Sequence, residues 1–168
     1  MQKDDLRSFL TEFTADRLAL IQRHEASARV VSHYDFNNAY QYVIAREETH
    51  LTWLQSALAE IAAPMPPAAS IAPVPEIPRG RKANDVSVFH GILTEDAKLI
   101  DAFVSKWRDR VNDLSHARHR TMLNVVLGES LEHKRLFEQA ASGFEDVIGR
   151  RTGGVARVGE VLPARWQE

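Results

Sequence analysis

Cysteine is absent from this chain of 168 residues. Disulfides, zinc–thiolate sites and iron–sulfur clusters are therefore excluded, and any metal must be held by oxygen and nitrogen donors. Glycine is scarce, at eight residues, and none forms a phosphate-cradling loop followed by a suitable lysine. Neither sign of charge dominates: the formal net charge is −2, so no nucleic-acid partner is expected. The longest apolar runs are too short and interrupted to span a bilayer, and no membrane partner is expected. The charged start Met1-Gln2-Lys3-Asp4-Asp5 leads into no apolar secretory core, which makes a cytoplasmic location the expectation.

Proline is scarce too, but it is concentrated. Six of the seven prolines, Pro64, Pro66, Pro67, Pro73, Pro75 and Pro78, fall in one segment. That segment, 62–93, cannot be helical throughout and reads as extended or irregular. The two blocks on either side, about 4–61 and 94–145, contain no proline and sustain no period of two. Each is too long for one globular helix and reads as an antiparallel helical pair. In the first block the turn falls at Ser32-His33-Tyr34-Asp35, with Asp35 as N-cap of the next helix. In the second it falls at Asn112-Asp113-Leu114-Ser115, and Thr94 is the expected N-cap of the third helix. The expected fold is all-α: one four-helix bundle over 1–149, with an irregular tail over 150–168. A proline-rich link covers about 3 Å per residue, enough to run back along helices of roughly 40 Å. Helices two and three would then lie parallel, giving two hairpins joined by a long crossover.

The informative residues interrupt the apolar stripes. In helix two, Glu47 and His50 lie on a stripe running through Phe36, Tyr40, Val43, Leu54 and Leu58. In helix four the stripe Met122, Val125, Val126, Leu136, Phe137 and Ala140 carries Glu129, Glu132 and His133 in its middle. Buried carboxylates need a counter-charge, a proton or a metal. Two such clusters at matching depth, on helices separated by a crossover, point to one shared polar centre.

Glu47-Glu48-Thr49-His50 resembles the Glu-x-x-His metal motif of the ferritin-like superfamily, and Glu129-Ser130-Leu131-Glu132-His133 resembles the Glu-x-x-Glu-His arrangement of rubrerythrin-type members. The cysteine-bound rubredoxin module of rubrerythrins is missing. The resemblance implies a non-haem centre of two iron ions, or of manganese, which accepts the same ligands. Glu47 and Glu129 would bridge the metals, with His50, Glu132 and His133 as terminal or exchanging ligands. The family also places a carboxylate on each of helices one and three. Matching depth gives Asp16 and Asp96, with Glu25 and Asp101 as competing choices, and His24 could also face inward. The implied chemistry is ferroxidase, peroxidase or oxygen-dependent oxidase activity, with iron and dioxygen or peroxide as partners.

The rival reading is a non-catalytic interaction or dimerisation module whose polar core is structural, with a second copy of the chain, in a homodimer, as its candidate partner. His116 and His119, with Arg118 and Arg120, read as a solvated helix end rather than a second ion site. The basic runs Arg79-Gly80-Arg81-Lys82 and Arg150-Arg151 are too short for a nucleic-acid surface.

Overall fold

A computed structural model describes residues 3–77 and 86–149. Four helices account for most of them: α1 (Lys3–Val30), α2 (Tyr34–Glu60), α3 (His90–Asn112) and α4 (Ala117–Ala141). A single 3-10 turn, Val86–Phe89, leads into α3. The described residues contain no strand. The all-α bundle of two hairpins and a long link is therefore what the chain forms. Among the described residues no helix is long and apolar enough to cross a membrane.

Cross-helix contacts fix the directions. Between α1 and α3, Glu12 meets Arg110, Asp16 meets Trp107 and Arg23 meets Asp96, so rising numbers pair with falling ones and the helices are antiparallel. Tyr42–His133, Arg46–Glu129 and Glu60–Arg118 make α2 and α4 antiparallel in the same way. By contrast, α2 and α3 run parallel, since Phe36 lies beside His90 and Tyr40 beside Asp96. This is the arrangement the long link permits.

Several boundaries differ from expectation. Tyr34 already belongs to α2, with His33 at the N-cap and no side-chain cap, so Asp35 sits in the first turn, where its charge suits the helix dipole. Helix three starts at His90 rather than Thr94, because the 3-10 turn runs directly into it. Past the end of α2, Ala62 takes a left-handed φ of 55°, and Pro64 cannot extend the helix. Gly143, at φ 96°, ends α4. The tail 150–168 and the basic run at 79–82 lie outside the described residues.

The link covers one face. Ala69 N–H donates to the Ala15 carbonyl, and Arg23 Nη1 donates to the carbonyls of Ala72 and Pro73 at 2.8 and 2.7 Å. Ile71, Val74 and Ile77 pack on the core. These contacts, with Ser70 and Ile71 lying beside Leu99, Phe103 and Lys106, place the described part of the link over α1 and α3.

Candidate functional site

The buried seam of each helix follows alternating steps of three and four, the spacing that keeps side chains on one face. In α2 it reads Phe36, Tyr40, Val43, Glu47, His50, Leu54 and Ala57, all buried. In α4 it reads His119, Leu123, Val126, Ser130, His133, Phe137 and Ala140, all buried. The two patterns correspond step for step, so Ser130 stands where α2 has Glu47, and His133 where α2 has His50. In α1 the seam is Leu10, Phe13, Arg17, Leu20, His24 and Ser27, likewise buried.

The α4 stripe expected from the sequence spans two adjacent registers: Val126, His133, Phe137 and Ala140 lie on the buried seam, whereas Met122, Val125, Glu129 and Leu136 lie beside it. Val125 is 44% exposed, and the Glu132 side chain is 64% exposed beside Arg135. Glu132 does not lie on the buried face. Glu129 is at the rim, with 30% of its side chain exposed. His119, expected at a solvated helix end, is buried and shares a 2.8 Å Nδ1–Nδ1 contact with His116.

At the centre stands Arg17, fully buried. Its Nη1 donates to Glu47 Oε1 at 2.8 Å and its Nη2 to Ser130 Oγ at 2.5 Å. The guanidinium carbon lies 4.4 Å from the centroid of the Phe103 ring, within range of a cation–π contact. The other Glu47 oxygen faces His24 Nδ1 at 2.8 Å. All four helices thus meet on one Arg–Glu pair. Burial raises the Glu47 carboxyl, but the neighbouring His24 and Arg17 outweigh it and hold Glu47 below the usual carboxylate range. Burial also lowers the basicity of Arg17, against the pull of Glu47; a guanidinium keeps its charge through such a shift.

Toward the rim, Arg46 grips Glu129 with two nitrogens, Nε at 3.1 Å and Nη2 at 2.8 Å. His50 Nε2 completes this set, 2.8 Å from Glu129 Oε2. The rings of His50 and His133 stack with centroids 6.2 Å apart. Burial pushes the His133 imidazole down to about 4, with Glu47 opposing and Arg17 reinforcing the shift. His50 is lowered as well, by burial and then by Arg17. Both imidazoles are neutral near pH 7.

The helix-one and helix-three candidates lie elsewhere. Asp16 accepts from Lys106 Nζ at 2.7 Å and Trp107 Nε1 at 2.8 Å. Asp96 is buried, 2.8 Å from Arg23 Nε, and accepts from the Tyr40 hydroxyl at 2.5 Å. That second polar cluster sits one heptad from Glu47 along α2. Burial and the Asp96 charge hold the Tyr40 hydroxyl well above its ordinary pKa. Asp101 is exposed and paired with Lys134, and Glu25 is partly buried.

A two-metal centre in such a bundle needs a carboxylate from each of two helices and a Glu-x-x-His from each of the others. Here α2 supplies Glu47 and His50, α4 supplies Ser130 and His133, α1 supplies a guanidinium and α3 the Phe103 ring. The donors do not fit a metal pair, because a fixed cation already takes up the central carboxylate. Among the described residues, the His/Asp/Glu group whose ligand atoms all lie within 4.8 Å is His33, Asp35 and Glu145, at the end of the bundle. None of the expected ligands belongs to it.

Arg17 and Ser130 escaped the sequence reading. The seam spacing through Leu10, Phe13, Leu20 and His24 was the signal for Arg17, and the match of Ser130-x-x-His133 to Glu47-x-x-His50 the signal for Ser130. Comparison of the chain with family models, curated proteins and solved structures finds no match. The class that can be stated is an all-α four-helix bundle with a buried Arg–Glu centre.

Proposed function

We propose that this chain is a ferritin-like bundle that works without a metal, as a non-catalytic interaction module whose polar core sets the register of its helices. One observation carries the reading: Arg17, fully buried, bonds to both Glu47 and Ser130 at the point where the helices converge. A buried pair with every helix contributing disfavours any sliding or rotation that would strand a charge in the interior. The interaction half draws on clefts along the α2–α4 side of the described residues. Tyr42 is 48% exposed there, beside a cleft of about 410 Å³ lined by Tyr42, Glu132, Leu136, Val147 and Ile148. A second cleft, of about 260 Å³, lies further along between Trp53 and Met122.

The metal-bearing reading has support of its own. His24 Nε2, His50 Nδ1 and His133 Nδ1 are buried ring nitrogens with no protein hydrogen-bond partner, and imidazole nitrogen suits iron. Thermal unfolding before and after loading with ferrous iron or manganese separates the two. The metal-free reading expects the same midpoint, since a ligand that does not bind the native state cannot stabilise it. A rise in midpoint that disappears in the His50→Ala/His133→Ala variant would favour the metal reading instead.

A further inference from the structure

We infer that Arg17 and Ser130 are the two residues that exclude a divalent cation from the middle of this bundle; the inference rests on the metal-free reading above. Both act on one locus. Ser130 occupies the α4 seam position that corresponds to Glu47 on α2, so the second bridging carboxylate is replaced by a neutral hydroxyl that accepts from Arg17 and donates to the Val126 carbonyl. Arg17 brings the positive charge and spends it on Glu47. An entering divalent cation would meet a fixed like charge and a carboxylate already neutralised, in an interior that screens poorly.

The rest of the donor set is in place. Glu47, His50 and His133 are buried on facing helices. His50 and His133 each retain a buried Nδ1 without a protein partner. Arg17→Glu shortens the α1 side chain while Ser130→Glu lengthens the α4 one, so the two changes roughly exchange volume across the centre. Together they would turn one cation and one hydroxyl into two carboxylates beside Glu47. Three carboxylates and two imidazoles form an oxygen- and nitrogen-rich set suited to divalent first-row metals.

Titration with Co²⁺, followed by visible absorption and by circular dichroism, tests this. Wild type is expected to bind no Co²⁺ at this locus. Arg17→Glu/Ser130→Glu is expected to bind it at least about 100-fold more tightly than the weakest binding the titration can detect, the upper end of what outer-shell changes alone achieve, and adding His50→Ala/His133→Ala should remove that gain. A folded double-Glu variant with wild-type affinity overturns the inference while leaving the metal-free reading intact. Should the double variant fail to fold even with Co²⁺, Arg17→Gln alone decides: a gain of about tenfold supports the inference, and no gain overturns it. Wild type binding Co²⁺ through His50 and His133 overturns the metal-free reading itself, and this inference with it.

Discussion

Two Arg–Glu pairs lie close together in this bundle, and their surroundings differ. Arg17 and Glu47 are both fully buried, with Ser130, His24 and Phe103 around them and Arg17 Nε left without a hydrogen-bond partner. Arg46 and Glu129 form a bidentate pair with better geometry, yet their side chains stay 36% and 30% exposed. The exposed pair can exchange its partner for water at little cost, and the buried pair cannot. The same two residue types therefore act as a surface contact in one place and as a constraint on the whole bundle in the other.

The largest effect should come from breaking the inner pair. Arg17→Met leaves Glu47 charged in a dry interior, and chemical denaturation should show a loss of about 3–5 kcal/mol. Arg17→Met/Glu47→Leu should recover most of it, since replacing both partners with apolar groups is often neutral. If the double variant were as damaged as the single one, the pair would not be the unit that matters.

The next effect is one of pH. Burial holds His133 at about 4 in the folded chain against 6.5 ordinarily. Its folded-state pKa is depressed, so the unfolded chain takes up the proton first as pH falls. Stability is thus intact above about pH 6.5 and declines down to about pH 4, by roughly 3 kcal/mol in total. Denaturation midpoints for His133→Gln should lack most of that slope. The smallest effect belongs to the rim: Arg46→Ala should shift the denaturation midpoint only slightly, and less still in high salt. A larger, salt-insensitive loss would mean that the two pairs are not as different as their exposures indicate.

The helices and their connection were legible because their signals are local and redundant. Six prolines gathered within 64–78, and none in the flanking blocks, leave little choice of architecture. Glu47 and His50 were found because both their seam neighbours are apolar. The α4 stripe went wrong for a physical reason. Val125 beside Val126, and Leu136 beside Phe137, are apolar pairs on adjacent positions, so two stripes one residue apart fit equally well until the partner helices select one. Taking members of both brings Glu129 and Glu132 inward together with His133 and leaves Ser130 out. Arg17 was hidden by its type, since a guanidinium is seldom read as core. Without Arg17, Glu47 had no visible counter-charge, and a metal was the natural way to supply one. Asp96 and Tyr40 were both placed inside correctly, yet only the three-dimensional contacts pair them with each other and with Arg23.

The central claim is that Arg17 is the permanent cation of this core. Side-chain NMR of arginine and histidine, recorded with and without excess Mn²⁺, addresses it directly. Slowly exchanging Arg17 guanidinium protons, bonded to Glu47 and Ser130, are expected, with Arg17, His50 and His133 signals that Mn²⁺ leaves unbroadened. Loss of the His50 and His133 signals on adding Mn²⁺, with Arg17 protons released to fast exchange, would contradict it.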